Sequence, residues 1–235
     1  MSWRFSLAAA VMMTALPLKA EVDLSINGVE SAVRDNVLGH MRLVNESCDT
    51  PKWKVRREFA GLDKEISRGL RVYGYYQPVI QKKLSWTESC WQAKVSIEPG
   101  VPVMVSAVDI RLIGDALNDK AFSELIAESQ QLLGKQLKHQ DYERIKSSLV
   151  NLASERGYFA AKLLNSELRV YQQKQQAEML LELDSGARYS IGKITYSEHP
   201  LDPEFLQRLA RVKEGDAFTA DTMIRLDRDL GDSGY

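Results

Sequence analysis

Residues 68–78 read RGLRVYGYYQP, where an amphipathic run ends on Gly74-Tyr75-Tyr76. Glycine is the usual stop just past a helix, because it lacks the Cβ that a left-handed backbone would crowd. The motif returns. Gly157-Tyr158-Phe159 closes a second run 83 residues later, and Gly234-Tyr235 closes a third 77 residues after that. A second marker keeps nearly the same spacing: Glu98-Pro99-Gly100 and Asp184-Ser185-Gly186 lie 86 residues apart, each followed by a strand-like stretch. Two markers with nearly one period identify a unit of about 80 residues repeated along the chain.

Working outward from Gly74 gives the content of the unit. Val55, Phe59, Leu62, Ile66, Leu70 and Tyr73 step by three or four, which puts one apolar stripe on one face of a helix. Ahead of it, Val22, Leu24 and Ile26 alternate with polar residues as a half-buried strand does. A first helix is expected over 30–44, with Val33, Val37, Met41 and Val44 on one side. Behind Gly74, residues 77–86 and 91–98 read as two strands joined by the turn TESC. The order is strand, helix, helix, strand, strand, an α+β unit. The second copy places a strand over 103–113, a helix over 119–133 and a helix with Tyr142, Ile145, Leu149 and Leu152 on its stripe. Strands over 160–171 and 177–184 follow. The third copy supplies a strand over 189–196, a short helix from Pro203, a break at Lys213-Glu214-Gly215-Asp216 and a helix ending at Gly234. Its two closing strands do not follow within the sequence.

The N-terminus has a different character. Arg4 precedes the apolar run FSLAAAVMMTALPL over 5–18, and Lys19-Ala20 leads into Glu21. This is the pattern of a secretory signal cleaved between Ala20 and Glu21; an uncleaved anchor or a buried first helix is the alternative. The run is shorter than the roughly 20 residues that span a bilayer. The expected division is a signal peptide over 1–20, units over 21–99 and 100–185, and an incomplete unit over 186–235. Without residues 1–20 the chain keeps 29 basic and 32 acidic residues, so no basic footprint for nucleic acid is present. Export makes the two cysteines, Cys48 and Cys90, a candidate disulfide. The topology sets the loop holding Cys48 and the turn holding Cys90 at the same end of the unit; two unpaired buried thiols are the alternative.

No HExxH, GxSxG, Walker A or CxxC pattern occurs, and His40, His139 and His199 fall in different units. The expectation is a protein that binds rather than catalyses, with no cofactor or metal. Tyr75, Tyr76, Tyr158 and Phe159 could form a ligand box. Their recurrence once per repeat points instead to structural helix-to-strand corners, together with Gly74 and Gly157.

The ordered motifs carry a family resemblance. They are Gly69-Leu70, Gly74-Tyr75-Tyr76-Gln77-Pro78, Pro99-Gly100-Val101-Pro102-Val103, Asp141-Tyr142-Glu143, Lys146-Ser147, Leu149 and Gly157-Tyr158-Phe159, then Asp184-Ser185-Gly186, Arg188-Tyr189, Phe205-Leu206 and Lys213-Glu214-Gly215-Asp216. The whole chain after residue 20 resembles tandem POTRA domains of the BamA-like outer-membrane assembly superfamily, and its local motifs resemble the TamA family within it. That resemblance implies three POTRA units followed by a transmembrane β-barrel. No barrel segments follow in the sequence, so on this reading the chain is a fragment, soluble after signal cleavage, of a membrane-embedded protein. It further implies a periplasmic, outer-membrane-associated location, a TamB-like inner-membrane-anchored partner, and unfolded outer-membrane or autotransporter clients taken up by strand addition. A two-partner secretion pore or another BamA-like assembly factor is the alternative.

Overall fold

The computed structural model describes residues 23–88, 90–195 and 203–231. The signal reading, including Ala20 and Glu21, lies outside them, as do Val22, His199 and Gly234-Tyr235.

In the first unit the elements are β1 (Asp23–Asn27), α1 (Ser31–His40), α2 (Lys52–Arg71), β2 (Val79–Trp86) and β3 (Trp91–Glu98). The sheet order is β1-β3-β2. The central β3 runs parallel to β1 and antiparallel to β2. Its alternation puts Trp91, Ala93, Val95 and Ile97 in the core. The α2 stripe packs on this face, with Val55, Leu62, Ile66 and Leu70 fully buried; each contributes roughly 1.5–3 kcal/mol. Gly69 lets α1 come close, since a methyl there would lie 2.9 Å from the Val37 Cα.

Two details depart from the periodicity. The first helix stops at His40, because Met41 turns extended and the Arg42 amide donates to Glu65 Oε2 at 3.1 Å. A 3₁₀ turn over Arg42–Asn45 then rotates Leu43 into the core and leaves Val44 exposed. The apolar stripe of α2 also hides two acids on its flank. Glu58 and Glu65 are buried and face Arg42, whose Nε lies 2.8 Å from Glu65 Oε1.

The second unit repeats the plan with β4 (Met104–Ile113), α3 (Lys120–Ser129), α4 (His139–Glu155), β5 (Lys162–Tyr171) and β6 (Gln176–Asp184). Its sheet order is β4-β6-β5, again with the last strand central. Phe122, Tyr142, Ile145 and Leu149 pack on Ala177, Met179, Leu181 and Leu183. Ala153, not Leu152, takes the fully buried place on α4. The helix expected to run to Leu133 ends at Ser129 and tightens into a 3₁₀ turn.

After it come α5 (Pro203–Ala210) and α6 (Ala220–Gly231). Residues 189–195 are not a strand. In both complete units the first strand is held by the unit's last strand; here no described strand lies alongside, and residues 189–191 instead bond to Gly157 and to the 215–218 loop, with an isolated bridge between Ser190 and Ala217.

Cys48 and Cys90 are joined, with Sγ–Sγ 2.07 Å and Cα–Cα 4.6 Å. Beside them the Trp91 indole N–H donates to the Ser47 carbonyl at 3.0 Å, so the loop between the helices is tied to the β2–β3 turn twice.

Candidate docking site

The repeated glycine motif is a joint between units as well as a corner within one. At Gly74 (φ +80°) the α2 terminus closes with Gly74 N–H to Arg71 O and Tyr75 N–H to Leu70 O, the Schellman pair. Gly157 (φ +85°) ends α4 the same way, on Ser154 O and Ala153 O. The carbonyl of each glycine then accepts from the segment that follows: Val103 N–H to Gly74 O at 2.9 Å, and Tyr189 N–H to Gly157 O at 2.9 Å. The next pair repeats too. Leu137 N–H donates to Val103 O at 2.8 Å and Phe218 N–H to Tyr189 O at 3.0 Å. One main-chain pattern therefore couples the first unit to the second, and the second to the helices that follow.

Side chains distinguish the joints. Tyr75 packs in its own unit's core, while Tyr76 crosses to the core of the second. The Tyr76 hydroxyl lies 2.7 Å from His139 Nε2, and Gln136 Nε2 donates to Tyr73 O at 2.7 Å. Burial holds His139 below the ordinary histidine range, opposed by the nearby Glu143 carboxylate. At the second joint Tyr158 is buried, whereas Phe159 is exposed and stacks edge-on with Tyr189 and Phe218.

Asp119 organises that second joint. It caps α3 through Ala121 N–H at 3.1 Å, and its Oδ2 takes Arg156 Nε at 2.6 Å and the Tyr158 hydroxyl at 3.0 Å. Arg188 Nη1 stands 3.6 Å from the same oxygen, while Arg188 also donates to Arg156 O and Phe218 O. Burial pushes the Asp119 carboxyl upward, but the donors from Arg156, Ala121 and Tyr158 prevail and hold it below the ordinary range. Burial and Asp119 together raise the Tyr158 phenol. In the sequence Asp119 reads only as a helix start, because its partners lie 37 and 39 residues on.

Among the described residues each sheet has two outer strands with a strand neighbour on one side only, β1 and β2 in the first and β4 and β5 in the second; the first strands of the closing hairpins are β2 and β5. They differ. In β2 the pairing with β3 is regular from Val79–Glu98 to Trp86–Trp91. In β5 the register shifts between Leu163 and Asn165, leaving Leu164 unpaired, a bulge of the kind that bends an edge away from partners. The middle of β2 carries Lys82, which turns inward beside α2 and donates to Asp63 Oδ2 at 2.7 Å and Phe59 O at 3.1 Å. The next residue, Lys83, lies on the open face directly opposite Lys94. Among the described residues no three His, Cys, Asp or Glu side chains gather as metal ligands, and no described helix is long and apolar enough to cross a membrane.

Residues 23–99 match the family model described as "POTRA domain TamA domain 1". The first unit has the POTRA fold, and the family model it matches is of the TamA type. Its order of elements recurs in the second unit, so the chain carries two complete POTRA folds with no closed barrel among the described residues. Solved structures similar in fold include BamA POTRA3-5 of Haemophilus influenzae, 17% identical, covering 92% of this chain and 86% of that one at a TM-score of 0.42. Another is POTRA1-3 of the periplasmic domain of Omp85 from Anabaena, 16% identical, covering 91% and 84% at a TM-score of 0.36.

Proposed function

We propose that this chain is the periplasmic POTRA region of an outer-membrane protein assembly or translocation factor, divided into units at residues 99–100 and 185–186. It acts by binding rather than catalysis. It docks a TamB-like inner-membrane-anchored partner and receives unfolded outer-membrane or autotransporter clients, whose extended segments add to the β2 and β5 edges. The observation that carries the reading is the sheet order: in a unit matching the TamA-type POTRA model, an outer strand with no second strand neighbour among the described residues can pair with a segment of another chain. The signal pattern over 1–20 supports export, and a Cys48–Cys90 bridge suits an oxidising compartment.

The test is a pull-down from a Gram-negative envelope extract with the chain as bait. Recovery of a TamB-like protein and barrel clients, reduced when β2 is blocked, is the expected result. Recovery of neither removes the proposal. Recovery of a single large secreted substrate without TamB would favour a two-partner secretion pore instead.

A further inference from the structure

The two edges carry different charge. Helix spacing sets Lys52, Arg56, Asp63 and Ser67 in one row along α2, and two contacts fix that row beside β2: Lys52 Nζ lies 5.1 Å from the Trp86 ring, and Asp63 pairs with Lys82. At its upper end Asp63, Lys64, Ser67, Arg68 and Arg71 line a shallow hollow. Asp63 is the one acid in the row, and Lys82 already takes it. Arg56, Lys64, Arg68, Arg71 and Lys83 are exposed and make no ion pair among the described residues. Lys83 faces Lys94 across the sheet, a like-charge pair that costs stability until an anion joins it. Along β5 the charges are balanced within the unit: Lys146 pairs with Glu143, and Arg169 with Glu167.

We infer that the β2 edge of the first unit selects an extended segment with two adjacent acidic residues in its middle. This rests on the strand-addition reading above and names the chemistry of the segment. A strand laid against β2 places neighbouring side chains on opposite faces. The residue opposite Lys82 meets the α2 flank and its unpaired cations; the next, opposite Lys83, meets the lysine pair on the open face. Residues opposite Ile80 and Leu84 continue the apolar layer that both join. The segment is therefore apolar, acidic, acidic, any residue, apolar, read against Leu84 to Ile80. The same lysines that repel an apolar or basic strand, and so keep β2 from pairing with itself, admit an acidic one.

The test uses the full chain and three ten-residue peptides with identical apolar positions, whose central pair is Glu-Glu, Ser-Ser or Lys-Lys. Binding is followed by hydrogen-exchange protection of the β2 amides. The Glu-Glu peptide should bind at least tenfold more tightly than Lys-Lys at low salt, with the ratio shrinking toward one as ionic strength rises and the Debye length falls. Lys83→Glu and Arg56→Glu, both at exposed positions, should reduce or reverse the ratio while the melting curve stays cooperative. Equal protection of β2 by all three peptides at every salt concentration overturns the acidic preference and leaves strand addition standing. Absence of β2 protection with any peptide overturns both. Protection confined to β5 overturns the assignment to this edge.

Discussion

A methyl group at Gly74 would sit 2.7 Å from the Leu137 carbonyl oxygen and 3.3 Å from that of Val103, on a backbone at φ +80°. Both oxygens belong to the following unit, so the strain falls on the joint. Gly74→Ala should cost about 1–3 kcal/mol and loosen the second unit against the first, read by thermal unfolding and by rotational correlation times of the two units. Asp119 gives a second prediction. Its folded pKa is depressed, so its contribution is complete above the unfolded value of about 3.9 and is lost as pH falls through the lower folded value. Asp119→Asn should cost about 2–4 kcal/mol at neutral pH, since it strands Arg156 and the buried Tyr158 hydroxyl. Its melting temperature should also vary less than wild type between pH 5 and pH 2. The role of Gly74 as a helix stop was readable from its place after a periodic run. The role of Asp119 was not, because nothing in a local window says which distant arginine will meet a buried carboxylate.

Among elements, α2 was the most legible. A long stripe with one spacing has one way to bury itself, and its fully buried apolar residues Val55, Leu62, Ile66 and Leu70 are ones the spacing selected. Short segments were less so. The substitution of Leu43 for Val44 in the core follows from a side-chain contact 23 residues away, the Glu65 carboxylate taking the Arg42 amide. Residues 189–195 read as a strand, yet their main-chain bonds go to Gly157 and the 215–218 loop, and a ladder forms only beside a second strand. The disulfide acts at this scale, pinning one loop to one hairpin. Its sequence separation of 42 corresponds to roughly 4 kcal/mol in the chain-entropy account. Free-thiol titration of the denatured, unreduced protein should find no thiol. Cys48→Ser with Cys90→Ser should lower the stability of the first unit by a comparable amount and leave the second unit's melting unchanged.

For the whole molecule the question is how firmly the units hold each other. At the first joint the depressed pKa of His139 means that the fold favours the neutral ring. That contribution is full above the unfolded value of about 6.5 and declines as pH falls from there to the folded value. Coupling between the first two units should therefore weaken from pH 7.5 to pH 5, and the trend should be absent in His139→Gln. Chemical denaturation followed by separate probes in each unit would measure it; coincident transitions at both pH values would contradict it. The sequence disclosed the order of elements within the two complete units, because hydrophobic period and turn residues are local. It did not disclose that Tyr76 and Phe159 lean on the next unit, since a corner and a joint share one local signature.

The paired carbonyl contacts at Gly74 and Gly157 have a consequence for any long partner. They are made by main chain at equivalent positions, so side-chain drift in either unit leaves them intact. The Gly74 contact lies between β2 and β5, so the interval between those two edges is set by that joint, like graduations on a ruler. A polypeptide that engages both must carry its two adhesive stretches at a matching interval. One with the wrong interval gains no avidity from the second site, however well each stretch fits alone.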